Sequence, residues 1–280
     1  MKKREHISRA RISKGRMSLK MRVLTFNIRY SRGIDGINTW PHRRSLVYDL
    51  IHTLQPDIIG FQEPLQDQMD DLIEMLTGYR YVGVAREDGK KEGEYNPIFY
   101  RESYQTESSD TFWLSDTPDT PNRTWEGQTR ICTWVRFSKP AQFALMNTHL
   151  EYCSLATQMK SASLIISKTG ELFDKAPVIL TGDFNLCPGT PPHELLGSIF
   201  VDTYYRVNGQ SGCGRVTFHG FTGKVTLSQF PPGTSPCRID YIWLKGAIDP
   251  LTCSIITDNP GAGVYPSDHW PVVADIEVLC

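Results

Sequence analysis

No apolar run in this chain approaches the roughly 18 residues needed to span a bilayer, so no transmembrane segment and no stable membrane association are expected. The opening stretch MKKREHISRARISKGRMSLK lacks the apolar centre of a secretory signal peptide. No two of the seven cysteines (Cys132, Cys153, Cys187, Cys213, Cys237, Cys253 and Cys280) stand at CxxC spacing. An odd, scattered set argues against a disulfide framework or a structural zinc site. Reduced thiols in a cytoplasmic protein are the simplest account.

Positive charge is also scarce outside the first 20 residues. The net charge of the 280-residue chain is −1. Residues 1–20 carry eight Lys/Arg and one acid, Glu5, hence +7, which leaves −8 for the remainder. Such a body lacks the basic face with which proteins coat duplex DNA, and only a local basic patch would serve. The tail itself reads as a disordered extension, or as an upstream start ahead of Met17 or Met21; a nucleic-acid or targeting arm is the alternative. Residues 21–280 then form the folded unit. No interdomain linker or short-period repeat interrupts it, so one domain is expected.

What the chain does have is a set of short β-branched or aromatic blocks, each meeting a polar residue at one end. They are MRVLTF before Asn27, DIIGFQ before Glu63, FALMNT before His149 and VILTG before Asp183-Phe184-Asn185. Two more follow: Asp240 opens YIWL, and Asp268-His269 precede WPVVADIEV. A strand buried on both faces reads as such a block. Its terminal side chain is therefore carried to the rim of the core on a rigid support. Several blocks ending in one place would gather Asp, Asn, Glu and His, a set suited to a hard divalent cation and phosphate-ester chemistry.

Helical spacing marks residues 40–55, closed by Pro56, and a second helix near 65–77. A third, 154–174, puts Leu155, Met159, Ala162, Ile165, Ile166 and Phe173 on its inner side. Residues 79–149 are β-rich, and further strands are expected at 177–185, 238–244, 250–257 and 271–278. Residues 115–129 and 219–237 resist regular structure, as functional loops often do. The mixture implies two mixed sheets packed face to face with helices outside.

Read together in order, QE at 62–63, NTHL at 147–150, GDFN at 182–185, RIDYI at 238–242 and SDH at 267–269 resemble the endonuclease/exonuclease/phosphatase superfamily. That group spans pancreatic-type deoxyribonucleases, apurinic endonucleases, inositol-polyphosphate 5-phosphatases, neutral sphingomyelinases and deadenylase-type nucleases. The segments FWLS, GEYNPIFYR and YPSDHWPV look closest to its small stand-alone bacterial-type members. The resemblance covers residues 21–280 and implies the deoxyribonuclease-like four-layer α/β sandwich. It also implies an Mg²⁺-dependent hydrolase, with Mn²⁺ as a possible substitute.

Attack of water on a phosphoester needs a cation, a base for the water, and donors for the developing charge. Glu63 suits the metal ligand, Asn27 would hold that ligand or its water, and Asp268 would be a second metal-facing carboxylate. By resemblance, Asp183 orients or deprotonates the water and Asn185 donates to a phosphate oxygen; an Asx turn is the structural alternative for that pair. His269 with Asp240 fits a base and its orienter, and His149 a donor or general acid. The deoxyribonuclease pattern also implies that Glu94 pairs with the phosphate-side histidine and that Arg130 contacts phosphate. Trp125 and His219, with Trp113 and Phe218, could form a stacking wall on the loops, although core packing explains Trp113 as well. Trp40 and Arg43, ahead of the first helix, read either way.

His149 stands where apurinic endonucleases carry a Tyr, so abasic-site cleavage is not expected. A nuclease and a small-molecule phosphoesterase both remain open. The acidic body favours a phosphorylated small molecule or a short single strand over long duplex DNA, and a monomer is expected. A peripheral-membrane phospholipid-type phosphodiesterase and a catalytically silent module on the same fold are the alternatives. The second would lack Glu63, Asp183 or His269, and all three are present.

Overall fold

The computed structural model describes residues 11–13, 16–121, 125–209, 215–223, 236–258 and 263–279, with side chains from Ser18 onward. The chain starts with β1 (Arg11–Ser13) and β2 (Arg16–Asn27), then α1 (Trp40–Leu54), β3 (Ile58–Gln62) and α2 (Gln66–Met75). Strands β4 (Tyr79–Val82), β5 (Ile98–Arg101), β6 (Gln105–Trp113), β7 (Ile131–Lys139) and β8 (Phe143–His149) follow. Next come α3 (Leu155–Phe173), β9 (Val178–Asp183), α4 (Pro191–Gly197), β10 (Val201–Asp202) and α5 (Thr203–Asn208). The chain closes on β11 (Asp240–Lys245), β12 (Ile248–Ile255) and β13 (Val272–Leu279). Among the described residues these strands make two mixed sheets. One runs β12-β13-β2-β3-β5-β4, with β1 on β2, and the other β10-β11-β9-β8-β7-β6.

The period of 2 along each strand decides the layers. Val23, Ile58, Leu145, Ile179 and Ile242 meet in the core between the sheets. Their neighbours Leu24 and Ile59 pack outward with Val47, Ile51, Met69 and Leu72 of α1 and α2. On the other flank Met146, Leu180 and Trp243 pack with Ala162, Ile165 and Phe173 of α3. Both faces of the central strands are thus buried, which is why they read as unbroken apolar blocks, and the four-layer sandwich follows.

Three inward layers succeed one another toward one end. Val23 lies opposite Ile58, then Thr25 opposite Gly60, then Asn27 opposite Gln62. In the second sheet Leu145 lies opposite Ile179, Asn147 opposite Thr181, and His149 opposite Asp183. The middle layer is polar and, with the Gln62 side chain reaching back into it from the third, fastens the sheets together. Gln62 Nε2 donates to Thr25 Oγ1 and, across the gap, to Asn147 Oδ1, while Asn147 Nδ2 donates back to the carbonyls of Phe61 and Pro97. A Cβ on Gly60 would sit 2.6 Å from Asn147 Oδ1, so only glycine admits this approach. The third layer is the site.

Several expectations are corrected. The first strand reaches back to Arg16, not Met21, and Leu19 is buried in the inter-sheet core. The start of the folded unit therefore lies inside the basic segment; residues 1–10 lie outside the described residues. Leu155 is exposed, because the turn of α3 facing the sheet begins at Thr157 and Gln158. Strand β6 starts at Gln105, and its first six residues are exposed and polar, since β6 is a sheet edge.

Cys187 and Cys237 form a disulfide with Cα atoms 5.5 Å apart. They are 50 residues apart in sequence, so spacing gave no sign of the pair. The bond ties the segment after β9 to the one before β11. It removes the cysteine-based ground for a cytoplasmic location, since such bonds persist in oxidising compartments. Cys132, Cys153 and Cys253 are free, and Cys213 and Cys280 lie outside the described residues. Among the described residues no helix is long and apolar enough to cross a membrane.

Beside that bond, buried Arg238 pairs with Asp202, whose other oxygen caps the start of α5. Burial alone would raise the Asp202 carboxyl, but His193 and Arg238 outweigh it and hold it below the ordinary range. A depressed carboxylate contributes stability that is complete above its unfolded pKa and is lost as pH falls through the folded one. Asp202→Asn should therefore cost about 3–5 kcal/mol at neutral pH, the cost of stranding a buried charge. Urea unfolding of both proteins across the acid range should show the gap closing as pH falls. A gap independent of pH would show that the pair does not carry this stability.

Candidate active site

The bond network starts from Asn27 at the end of β2. Its Nδ2 donates to Glu63 Oε1 at 2.9 Å and to Asp183 Oδ2 at 3.0 Å, one carboxylate from each sheet. The other Glu63 oxygen accepts the backbone N–H of Tyr30, and Asn27 Oδ1 that of Arg29. Glu63 holds a left-handed φ of 73°, uncommon for a residue with a side chain; such strain clusters at working sites.

Asp183 ends β9. Its Oδ2 lies 3.5 Å from His149 Nε2 and 3.7 Å from His269 Nε2, and its Oδ1 accepts the Asn185 N–H. That last bond is an Asx turn, so the structural and chemical readings of the pair coexist. Asn185 sits at φ 50°, so the segment is not extended; the turn, not strand periodicity, brings both side chains to the same place. Asn185 Nδ2 lies 3.0 Å from His149 Nε2 and also donates to the Leu150 carbonyl. Gly182 is needed ahead of Asp183 because a Cβ there would collide with the Thr148 carbonyl.

His269 Nδ1 lies 2.9 Å from Asp240 Oδ2, as expected of a ring and its orienter. Thr217 Oγ1 accepts the Asp240 N–H and holds the start of β11 in place. Burial would favour a neutral His269, but Asp240, Asp183 and Asp268 outweigh it and push the imidazole upward. Burial and Asp240 likewise raise Asp183. The charges thus favour an imidazolium at His269 and proton affinity at Asp183. Burial, with Arg130, Arg86 and His269 nearby, holds His149 well below its ordinary value, hence neutral.

Arg130 is buried, its Nε pairs with Glu151 at 3.7 Å, and its Nε and Nη1, like His149 Nδ1, make no hydrogen bond among the described residues. The expected Glu94–histidine pair is absent. Glu94 accepts from Arg86 at 2.6 Å instead, a charge-assisted bond stronger than one to a neutral ring.

His219 is corrected as well. It is fully buried and stacked on Trp270 at 4.0 Å, so it offers no face for a substrate to stack on. Phe218, edge-on to His269 at 5.1 Å, is the ring that reaches the site. Trp125 is part-buried beside α3, with Lys160 over its ring and Nε1 bonded to Asp116. Trp113 is core, its Nε1 bonded to the Arg86 carbonyl. Sequence reasoning gave no role to Arg29, Arg86, Glu151 or Ser267, although Glu151 follows NTHL and Ser267 opens SDH, which was the available signal.

The donors suit a hard divalent ion: Glu63 and Asp268 are both carboxylates, and burial with Glu63 nearby raises Asp268. Arg29 approaches Asp268 at 3.7 Å but is itself held by Asp35. Asp183, Asp240 and His269 also have ligand atoms within 4.8 Å of one another. Both His269 nitrogens there already face carboxylates, so the oxygen set around Glu63 suits the ion better.

Comparison with known proteins agrees with this geometry. The model of the Endonuclease/Exonuclease/phosphatase family matches residues 24–269. An endonuclease/exonuclease/phosphatase structure from Bacteroides vulgatus is 32% identical, with a TM-score of 0.81, over 92% of this chain and 99% of that one. A mannosyl-6-phosphatase from Bacteroides thetaiotaomicron is 29% identical, with a TM-score of 0.79, over 91% and 99%. Human tyrosyl-DNA phosphodiesterase 2 is 22% identical over 275 residues, 92% of this chain and 68% of that protein. With its strand ends converging on one carboxylate-and-histidine cluster, the chain belongs to the endonuclease/exonuclease/phosphatase family of phosphoesterases and nucleases.

Proposed function

We propose that this protein is a divalent-metal-dependent hydrolase of phosphate esters that acts on a phosphorylated small molecule or a short single strand. The observation that carries the reading is the buried Asp183 carboxylate, approached together by Asn27, His149 and His269. Glu63, with Asn27 and Asp268 beside it, would hold Mg²⁺ or Mn²⁺; when bound, the ion would neutralise phosphate charge and acidify a water. The protein's own groups do the rest. Asp183 orients the attacking water and takes its proton. Asn185, Arg130 and His149 donate N–H groups to phosphate oxygens. His269, fixed by Asp240, donates from Nε2 to the charge that develops on the phosphate or the leaving oxygen.

Substrate size follows from charge. The −8 carried by residues 21–280 gives weak or repulsive steering of long polyanions. Arg29 and Arg86 already pair with carboxylates. Relatives named for a sugar-phosphate monoester and for a tyrosyl-DNA end support a substrate presented as a terminus or a small molecule.

Glu63→Gln keeps the size of the side chain and removes its charge. Half-saturating Mg²⁺ should rise by about 10–100-fold, with folding stability little changed and activity partly restored at high Mg²⁺. Unchanged metal dependence would place the ligand elsewhere.

Asp240→Asn and His269→Ala should each lower kcat on bis-p-nitrophenyl phosphate by about 10²–10⁴-fold. The double variant should lose little more, because groups acting as a unit are non-additive. Losses that simply multiply would break the pairing.

Residues 1–10 carry four Lys/Arg and one Glu, and their removal should leave kcat/KM on small phosphoesters unchanged, since the site lies on the body. Both forms should act better on small phosphoesters or short single strands than on duplex plasmid at physiological salt. Efficient plasmid nicking by the shortened form would return the protein to a deoxyribonuclease reading.

A further inference from the structure

Arg43 of α1 is fully buried, yet it takes no part in the chemistry described above. Among the described residues its guanidinium donates only to backbone carbonyls. Nε donates to Asn38 at 2.9 Å, Nη1 to Ile28 and, at 3.1 Å, to Pro266, and Nη2 to Arg29 at 2.5 Å. The Trp40 ring lies 5.0 Å from its carbon, and the Phe221 ring 5.8 Å.

Those carbonyls belong to two loops. Ile28, Arg29 and Asn38 lie between β2 and α1, directly after Asn27. Pro266 lies ahead of β13, directly before Ser267, Asp268 and His269. Neither loop can satisfy these carbonyls with a strand partner, and a buried carbonyl without a donor is costly. Arg29 is also held in a left-handed conformation, φ 55°, and its carbonyl accepts from both Arg43 and Gln68. A second tie, Ser267 Oγ to the Asn27 carbonyl at 2.6 Å, joins the same two loops nearer the site. Packing alone could be met by an apolar side chain. A rigid five-donor fork is what several carbonyls at fixed angles require, and lysine does not supply it.

We propose that Arg43 is a positioning residue for the phosphoester reaction, its guanidinium setting the spacing between the loop that delivers Asn27 and the loop that delivers Asp268 and His269. The proposal rests on the reading of the site given above. It reaches Glu63 and Asp183 through Asn27, whose amide holds both. The opposite wall, built on β8 and β9, makes no contact with this guanidinium among the described residues.

The test is Arg43→Lys, which keeps the charge and loses the fork. With bis-p-nitrophenyl phosphate, kcat should fall by about 10–100-fold and half-saturating Mg²⁺ should rise by about 10-fold, with KM changed far less. Hydrogen exchange should show residues 26–30 and 264–270 losing protection together, while 147–151 and 181–185 keep theirs. Activity and metal dependence within about twofold of the parent would overturn the proposal. So would a loss of protection spread evenly over all strands, which a merely structural role would give. Phe221→Ala, which removes a part-buried ring from one side of the guanidinium, carries the same test should the lysine variant not fold. It should loosen the same two segments with a smaller loss of kcat, and unaltered protection there would equally overturn the proposal. If the parent hydrolyses no phosphoester, the functional reading fails. The exchange measurement and calorimetric Mn²⁺ titration of the variant still decide the role of Arg43.

Discussion

The amide of Asn27 donates to Glu63 from its own sheet and to Asp183 from the facing one, and the rest of the site depends on that clasp. Two carboxylates from separate sheets would otherwise repel across a poorly solvated gap. A bond to a charged acceptor contributes about 1.5–3 kcal/mol, and leaving that acceptor unpaired costs more. The clasp works only because the sheets are held at a fixed distance one layer below. There Gln62 donates to Asn147 across the gap, Asn147 donates back to the Phe61 carbonyl, and Gly60 permits the close approach. Beneath that layer the contacts are purely apolar. The sandwich thus passes from packing, to amides, to charge within three successive inward positions of each strand.

Charge is divided across the cluster. Carboxylates collect on the side of Glu63, Asp268, Asp240 and Asp183, and their mutual repulsion together with burial raises Asp183 and Asp268. Beside them lie Arg130, neutral His149 and Asn185, and N–H groups of Arg130 and His149 make no hydrogen bond among the described residues. His269 is kept protonated by the carboxylates it faces. A phosphate has acceptors for those N–H groups and, with a cation, compensates the carboxylates. This polarity supports a phosphoester site more directly than any one residue does.

Strand ends were legible because each combines a doubly buried block with a polar terminus. Asn27, Glu63, His149, Asp183, Asp240 and His269 could be named on that ground, and α1, α2 and α3 by their periodicity. The edge strand β6 was missed in part because its exposed half carries no apolar pattern. The start of β2 was missed because a basic composition masked Leu19. Leu155 was placed inward because apolar character alone does not fix which turn of a helix first meets the sheet.

What the sequence by itself determined, then, is the set of strands, the order of the motifs and the kind of chemistry their termini can perform. These are local properties, set by side-chain period and residue type. Tertiary structure alone decided who meets whom. Cys187 finds Cys237, Glu94 finds Arg86 and not His149, His219 turns inward onto Trp270, and Arg43 finds the carbonyls of two loops. Each of these contacts joins residues that are far apart in sequence or equally able to take another partner. Tertiary structure also set the protonation balance between Asp183 and His269. That balance is a sum of burial and of charges from separate strands, so it exists only once the strands are packed.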